Sequence, residues 1–367
     1  MKRRDFMHQA GVGAAAAVGL LSGCKGRESE QVATVQAART VEWKMVTTWP
    51  KNFPGLGTAA NYLAELIGEM SGGRLRVKVY GATELVPAFE VFDAVSQGTA
   101  ELGHGASYYW KGKSEAAQFF AAVPFGLTAD EINGWLYHGG GMELWREIYA
   151  PFGLIPAAAG NTGVQMGGWF RREINSVEDL QGLKMRIPGL GGEVLRRAGG
   201  TPVYLPGGEV FTSLQSGAVD AAEWVGPYND LAFGLYKAAK YYYYPGWQEP
   251  GSNLECLINQ KAFEGLPMDL QTIVLTACRA ANQDMLAEYM ARNNAALHTL
   301  VTEHHVELRR FPDAVLEKLR VLSAEVVAEV AGKDAVTRKV YDAFDAFRKQ
   351  VVPWTDISER AYLNARG

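Results

Sequence analysis

Residues 161–188, NTGVQMGGWFRREINSVEDLQGLKMRIP, decide how this chain is read. The stretch predicts a tight strand pair, a polar helical turn and a third strand. A strand over 164–171 is bounded by Gly163 and interrupted by Gly167-Gly168, and Asn175-Ser176 supplies a cap for the turn 177–180. Gly182 closes that turn, and Pro188 ends a short strand over 183–187. Arg186 therefore stands at a strand's exit, where its donor fork matches a carboxylate in two parallel hydrogen bonds. Spacing alone leaves a solvated surface arginine equally open.

At 367 residues the chain is longer than one core usually supports, so two lobes are expected. A charged fraction of 21%, a net charge of −4 and a pI near 6.0 give no basic footprint, and nucleic acid is set aside as a partner. Strands at 41–48, 75–80 and 101–105 alternate with helices at 57–70 and 87–97, the rhythm of a parallel or mixed sheet with helices on its faces. A second lobe begins near Gly163, with strands 184–187, 201–205 and 218–224 and helices 191–198 and 209–216. The chain then returns through 253–259. Two such α/β lobes joined by several crossings leave a hinged cleft, the default place for a ligand. From 268 to 311 there is neither Gly nor Pro, and apolar residues recur at three-to-four spacing. An unbroken helix there would run on the order of 60 Å, so it bends or bridges both lobes.

The ends carry different signals. KRRDFM (2–7) resembles a twin-arginine export motif and precedes an apolar stretch over 10–21, too short for a membrane anchor. LSGC (21–24) looks like a lipobox whose cysteine, Cys24, is acylated, and cleavage near VQA (35–37) is the competing reading. Residues 1–23 are thus an export signal and 24–40 a polar tether. The tail, 352–367, has Trp354, Ile357, Tyr362 and Leu363, more apolar surface than a disordered end needs, and is expected to pack on a partner. Cys256 and Cys278 read as buried apolar residues; whether they pair stays open.

Three oxygen-bearing side chains, Gln165, Glu223 and Glu249, lie near expected strand ends beside Arg186. Two carboxylates and an amide oxygen suit calcium, sodium or magnesium, and no His or Cys joins them. Composition alone favours a solvated surface pair for the two glutamates, but Glu223 sits in the mostly apolar run 219–225, where a lone carboxylate is costly and a cation would offset that cost. Other patterns carry no chemistry. EHHVE (303–307) lacks zinc-hydrolase spacing and reads as a solvated helical face, Gly139-Gly140-Gly141 is a helix stop, and His104 is an ordinary buried or lip histidine.

REINSVEDLQGLKMR (172–186) resembles the signature of the solute-binding proteins of tripartite ATP-independent periplasmic (TRAP) transporters. GNTGVQMGGWFRREI (160–174), AAVPFG (121–126), YHGGG (137–141), AEWVGPY (222–228) and YYYYPGW (241–247) look like their 2-oxo acid-binding branch, so the resemblance covers most of residues 41–350. It implies an α/β two-lobe periplasmic binding protein fold with mixed sheets, a hinge cleft and a long lobe-bridging helix. Lobe I would be 41–163 plus 253–290, lobe II 164–252 plus 291–351, and 352–367 a dimerisation tail in a homodimer. The implied activity is binding, not catalysis: a small 2-oxo or 2-hydroxy monocarboxylate held with Na+ or Ca2+ and handed to an integral-membrane permease. By the same resemblance Gln165, Glu223, the Trp224 carbonyl and Glu249 hold the cation, with Gln248 the rival of Glu249. Arg186 pairs the substrate carboxylate, and Tyr108 touches the ligand. Tyr109, Trp110, Trp169 and Tyr228 are further aromatics of these segments. The alternatives are an exported metal-dependent enzyme acting on 2-oxo acids and a dimeric scaffold or sensor domain. Against the enzyme, no His, Lys or Cys falls beside the metal set as a general acid or base.

Overall fold

The structure, a computed structural model, describes residues 40–367. The export signal and Cys24 lie outside the described residues. Eleven strands form two mixed sheets: β1 (Val41–Thr47), β2 (Leu75–Tyr80), β3 (Leu102–Gly105), β4 (Leu154–Asn161), β5 (Gly168–Phe170), β6 (Lys184–Arg186), β7 (Thr201–Val203), β8 (Ala221–Ala222), β9 (Tyr241–Tyr244), β10 (Asn253–Asn259) and β11 (Glu307–Arg310). The first sheet has the order β2-β1-β3-β10-β4 and the second β11-β9-β5-β8-β6-β7. In the first, β1 runs parallel to β2 and β3, while β10, arriving from the other half, lies antiparallel to β3 and β4.

The helix Leu56–Met70 shows why these layers form. Leu56, Ala59, Ala60, Leu63 and Ile67 recur on one face and are buried. Leu63 and Ile67 join Trp43, Met45 and Leu75 in a core on one side of the first sheet, each large aliphatic side chain contributing about 1.5–3 kcal/mol.

The opening stretch departs from its expected form. β4 and β5 belong to different sheets, so there is no strand pair. Residues 162–167 are a crossover, because the backbone amides of Gln165 and Met166 bond the carbonyls of Glu249 (3.1 Å) and Val225 (2.9 Å) rather than a neighbouring ladder. The strand begins only at Gly168, whose φ of 117° and close approach to the Ala222 carbonyl exclude a side chain. The following turn is capped in reverse. Asp179 Oδ2 accepts from the amides of Asn175 (2.8 Å) and Ser176 (2.9 Å).

The long helix is Met268–Thr302, 35 residues and about 52 Å, not an unbroken run to 311. It packs on β4 and the Leu56–Met70 helix in the first half and on the Pro227–Phe233 helix in the second, so it bridges both. It stops without Gly or Pro because His305 takes a left-handed φ of 53° and the chain enters β11. EHHVE is therefore a turn, not a late helical face. The expected second lobe ran to 351, yet the Ala335–Thr355 helix packs on Gly141–Tyr149 and Glu115–Phe120, beside the first sheet. A short π-helical turn and Ala361–Arg366 continue it, leaving Trp354, Ile357, Tyr362 and Leu363 exposed. Among the described residues no helix is long and apolar enough to cross a membrane.

Candidate functional site

Two crossovers, 162–167 and 245–252, run side by side between the sheets. Besides the Gln165–Glu249 bond, the Thr162 amide donates to the Ser252 carbonyl at 3.1 Å. Gly246 of the YYYYPGW run is required here, since a Cβ on it would lie 2.1 Å from the Gln165 carbonyl oxygen. The second sheet adds Arg186 at the end of β6 and Glu223 directly after β8. The turn Ser107–Trp110 after β3 adds Tyr108 and Tyr109 from the first half.

All six residues singled out from the sequence are buried, and they meet. Gln165 Nε2 donates to Glu249 Oε2 at 2.9 Å. Arg186 Nη1 donates to the Glu223 carboxylate and, at 2.9 Å, to its carbonyl, while Nε donates to the Leu205 carbonyl at 3.2 Å. The Trp224 ring lies 5.0 Å from the guanidinium. Tyr108 lies against Glu249 and near Glu223. Glu223 thus has the cationic partner that the sequence left unseen.

Ser252 was not found from the sequence. Its hydroxyl donates to Glu249 Oε2 and accepts from Gln165 Nε2 at 3.1 Å, a role that a lone serine in a loop does not announce. Gln248 turns away, its amide donating to the Met166 carbonyl at 2.9 Å. Among the aromatics, Trp169 is core, stacked on Tyr242 at 4.0 Å, Trp110 serves Glu255, and Tyr228 faces Glu288. His104 is fully buried between Trp49 Nε1 and the Ala159 carbonyl, and burial lowers it to about 4, so it is neutral. Cys256 and Cys278 are buried and free.

Burial pushes Glu249 up to about 7, against the Ser252 hydroxyl, Arg186 and Tyr108, which favour its charged form. Burial also raises Glu223, with Arg186 pulling the other way. Burial disfavours the Arg186 charge, but Glu223 and the neighbouring tyrosines and Glu249 outweigh it, and the guanidinium stays charged. Two oxygens, Glu223 Oε2 and Gln165 Oε1, are buried without a hydrogen-bond partner among the described residues. Among the same residues no three His, Cys, Asp or Glu side chains cluster as a metal site. A set of two carboxylates and one amide, with orphaned oxygens and no nitrogen or sulfur ligand, fits a hard cation.

The site is enclosed because rings of the two halves have met over it. Phe53 packs on Phe233 at 4.2 Å, Phe89 stacks on Tyr204 at 4.7 Å, and Trp49 meets Trp224 edge-on at 6.3 Å. An open groove of about 860 Å³ runs along the long helix past Tyr62 and Arg292, away from these residues.

Residues 45–334 match the family described as bacterial extracellular solute-binding protein, family 7. The chain is 46% identical over 99% of its length to the monocarboxylate 2-oxoacid-binding periplasmic protein of Nostoc sp., covering 98% of that protein. It is similar to a TRAP periplasmic solute-binding protein from Pseudoalteromonas atlantica solved with sodium and pyruvate (45% identity, 89% of this chain and 99% of that one, TM-score 0.86). A Colwellia psychrerythraea counterpart solved with calcium and pyruvate is 44% identical, with a TM-score of 0.87 over 89% of this chain and 100% of that one. A Bordetella bronchiseptica protein, a mixed-occupancy dimer with calcium and picolinate, is 37% identical, with a TM-score of 0.87 over 89% of this chain and 97% of that one. With its fold, crossovers and matched length, the chain belongs to the family 7 bacterial extracellular solute-binding proteins, the DctP family.

Proposed function

We propose that this chain is the periplasmic receptor of a TRAP transporter and traps a small 2-oxo or 2-hydroxy monocarboxylate of the pyruvate class, together with sodium or calcium, for import by membrane permease subunits. The observation that carries the reading is the pair of orphaned oxygens, Glu223 Oε2 and Gln165 Oε1, buried beside Arg186 and Glu249. Gln165, Glu223, Glu249 and the Trp224 carbonyl would hold the cation, which supplies charge to the ligand's oxygens. Arg186 takes the ligand carboxylate with Nη2, the arm not tied to Glu223 or Leu205, and Tyr108 covers it. The pyruvate bound in two relatives that are 44–45% identical supports the substrate class. The two lobes, one built on each sheet, open about the crossovers to admit it.

Glu223→Gln is expected to weaken cation and ligand binding together, by roughly ten- to a hundredfold each, because each completes the other's surroundings. Calorimetric titration of pyruvate into metal-stripped and calcium-loaded protein reads this coupling, and equal affinities in the two states would remove the cation from the reading. The same incubation assayed for product separates receptor from enzyme: any turnover of pyruvate would move the chain to metal-dependent catalysis.

The exposed Trp354, Ile357, Tyr362 and Leu363 support a homodimer closed by the tail, and the twin-arginine and lipobox signals support export and anchoring at Cys24. Size and mass of the purified mature protein check both ends. Light scattering should give a dimer that becomes monomeric on truncation after Val352, and the intact mass should be an acylated chain starting at Cys24. A monomeric full-length protein refutes the first, and a soluble chain starting near Ala38 the second.

A further inference from the structure

The second sheet has a second pole. Gln165 precedes β5 and Glu249 follows the antiparallel β9, so the candidate ligand residues gather at one end of these strands. At the other end Arg171 follows β5, Lys240 precedes β9, and His304 and His305 precede β11, which is parallel to β9. These residues, with Tyr236 and Lys237, line a cavity of about 320 Å³. Its wall is built: the His304 ring stacks on Tyr236 at 3.9 Å, and Lys237 Nζ lies 5.5 Å over the same tyrosine. Lys240 is paired with Glu307, the carboxylate at this rim. Arg171 and Lys237 form no ion pair among the described residues, although the chain as a whole carries a net charge of −4. Two cations without an ion-pair partner among the described residues make a positive site at this concavity on an acidic protein, and the two rings add polar nitrogens.

We propose that this cup binds a phosphate-bearing anion, with the Arg171 fork and the Lys237 ammonium on the phosphate oxygens and the imidazoles completing the shell. A carboxylate ligand has two oxygens in one plane. A phosphate monoester presents three, which suits donors drawn from three elements, here the residue after β5, the Leu235–Lys237 turn and the His304-His305 turn. The site shares no residue with the proposed substrate site, so either can fail alone.

Inorganic phosphate titrated into the purified protein at constant ionic strength, read by 31P line broadening, should bind saturably. The double substitution Arg171→Gln with Lys237→Gln should weaken it about tenfold or more while leaving pyruvate affinity unchanged. Sedimentation of the unacylated Cys24→Ser protein with phosphatidic acid against phosphatidylcholine vesicles identifies the source. Vesicle binding lost in the double variant assigns a lipid headgroup, and phosphate binding without vesicle binding assigns a soluble phosphate. No saturable binding in either arm, or binding that the double variant retains, overturns the site.

Discussion

Arg186→Ala should abolish pyruvate binding at ordinary concentrations while the protein still takes up calcium. Among the described residues Arg186 is the one cation at the site, against Glu223 and Glu249. Removing it leaves both carboxylates, which favours a metal ion and repels a carboxylate ligand. Truncating one partner of a buried charge pair lowers affinity by about 2–5 kcal/mol, roughly thirtyfold to several thousandfold. The fold should suffer as well, since Glu223 is fully buried and would lose its cationic partner, a change worth about 3–5 kcal/mol when the carboxylate stays ionised. Burial already raises Glu223, so in the variant it can escape part of that penalty by protonating. The loss of stability should then be smaller at pH 5 than at pH 8. Arg186→Lys restores charge without the fork and should recover only part of the affinity. Calorimetry with pyruvate and with calcium, run separately, decides the matter; equal losses for both would mean that Arg186 holds the site's shape and not the ligand.

Much of this site could be read from the chain because its chemistry is local. Arg186 ends a strand whose limits Gly182 and Pro188 mark, and Glu223 follows an apolar run that marks it as buried. Their contact is not local. Thirty-seven residues separate them, and only the β6–β8 register puts the guanidinium beside the carboxylate. The misreading of 164–171 has the same origin. Val164 to Gly167 looks like a strand by composition, but the partners that would make it one are taken by Glu249 and Val225 from distant crossovers. The end of the long helix was invisible for a different reason. His305 enters the left-handed region although no Gly, Asn or Pro announces it, and the pairing of β11 with β9 fixes the break. The apolar run around Glu223 argues against a solvated surface pair, and what the residues alone could not supply, the full ligand set with the Trp224 carbonyl and Glu249, came from the family resemblance.

Glu255→Gln should make the protein more stable at pH 8 and nearly unchanged below pH 4.5. Glu255 is fully buried on β10, and its carboxylate meets Trp110 Nε1 on one oxygen and the Tyr149 hydroxyl, at 2.9 Å, on the other. The Phe92 ring packs on both partners, and Gly105 and Ala158 stand opposite on the neighbouring strands, so among the described residues no cation faces the group. Burial pushes it from 4.5 up to about 8, more than the two hydrogen bonds pull it down. The sign follows from which state binds the proton. Between pH 4.5 and 8 the folded chain keeps it and the unfolded chain does not, so stability is fully present below 4.5 and falls as pH rises through that window. The slope is about 1.4 kcal/mol per pH unit, roughly 5 kcal/mol in all. Glutamine copies the protonated acid: its oxygen accepts from Trp110 and its amide donates to the Tyr149 oxygen, with nothing left to ionise. Shifts at other groups, such as His104 and Asp230, are common to both proteins and cancel in the difference. Urea unfolding of the two proteins at pH 5, 6.5 and 8 measures that difference directly. Parallel profiles would show that Glu255 titrates at an ordinary pH and that water reaches it.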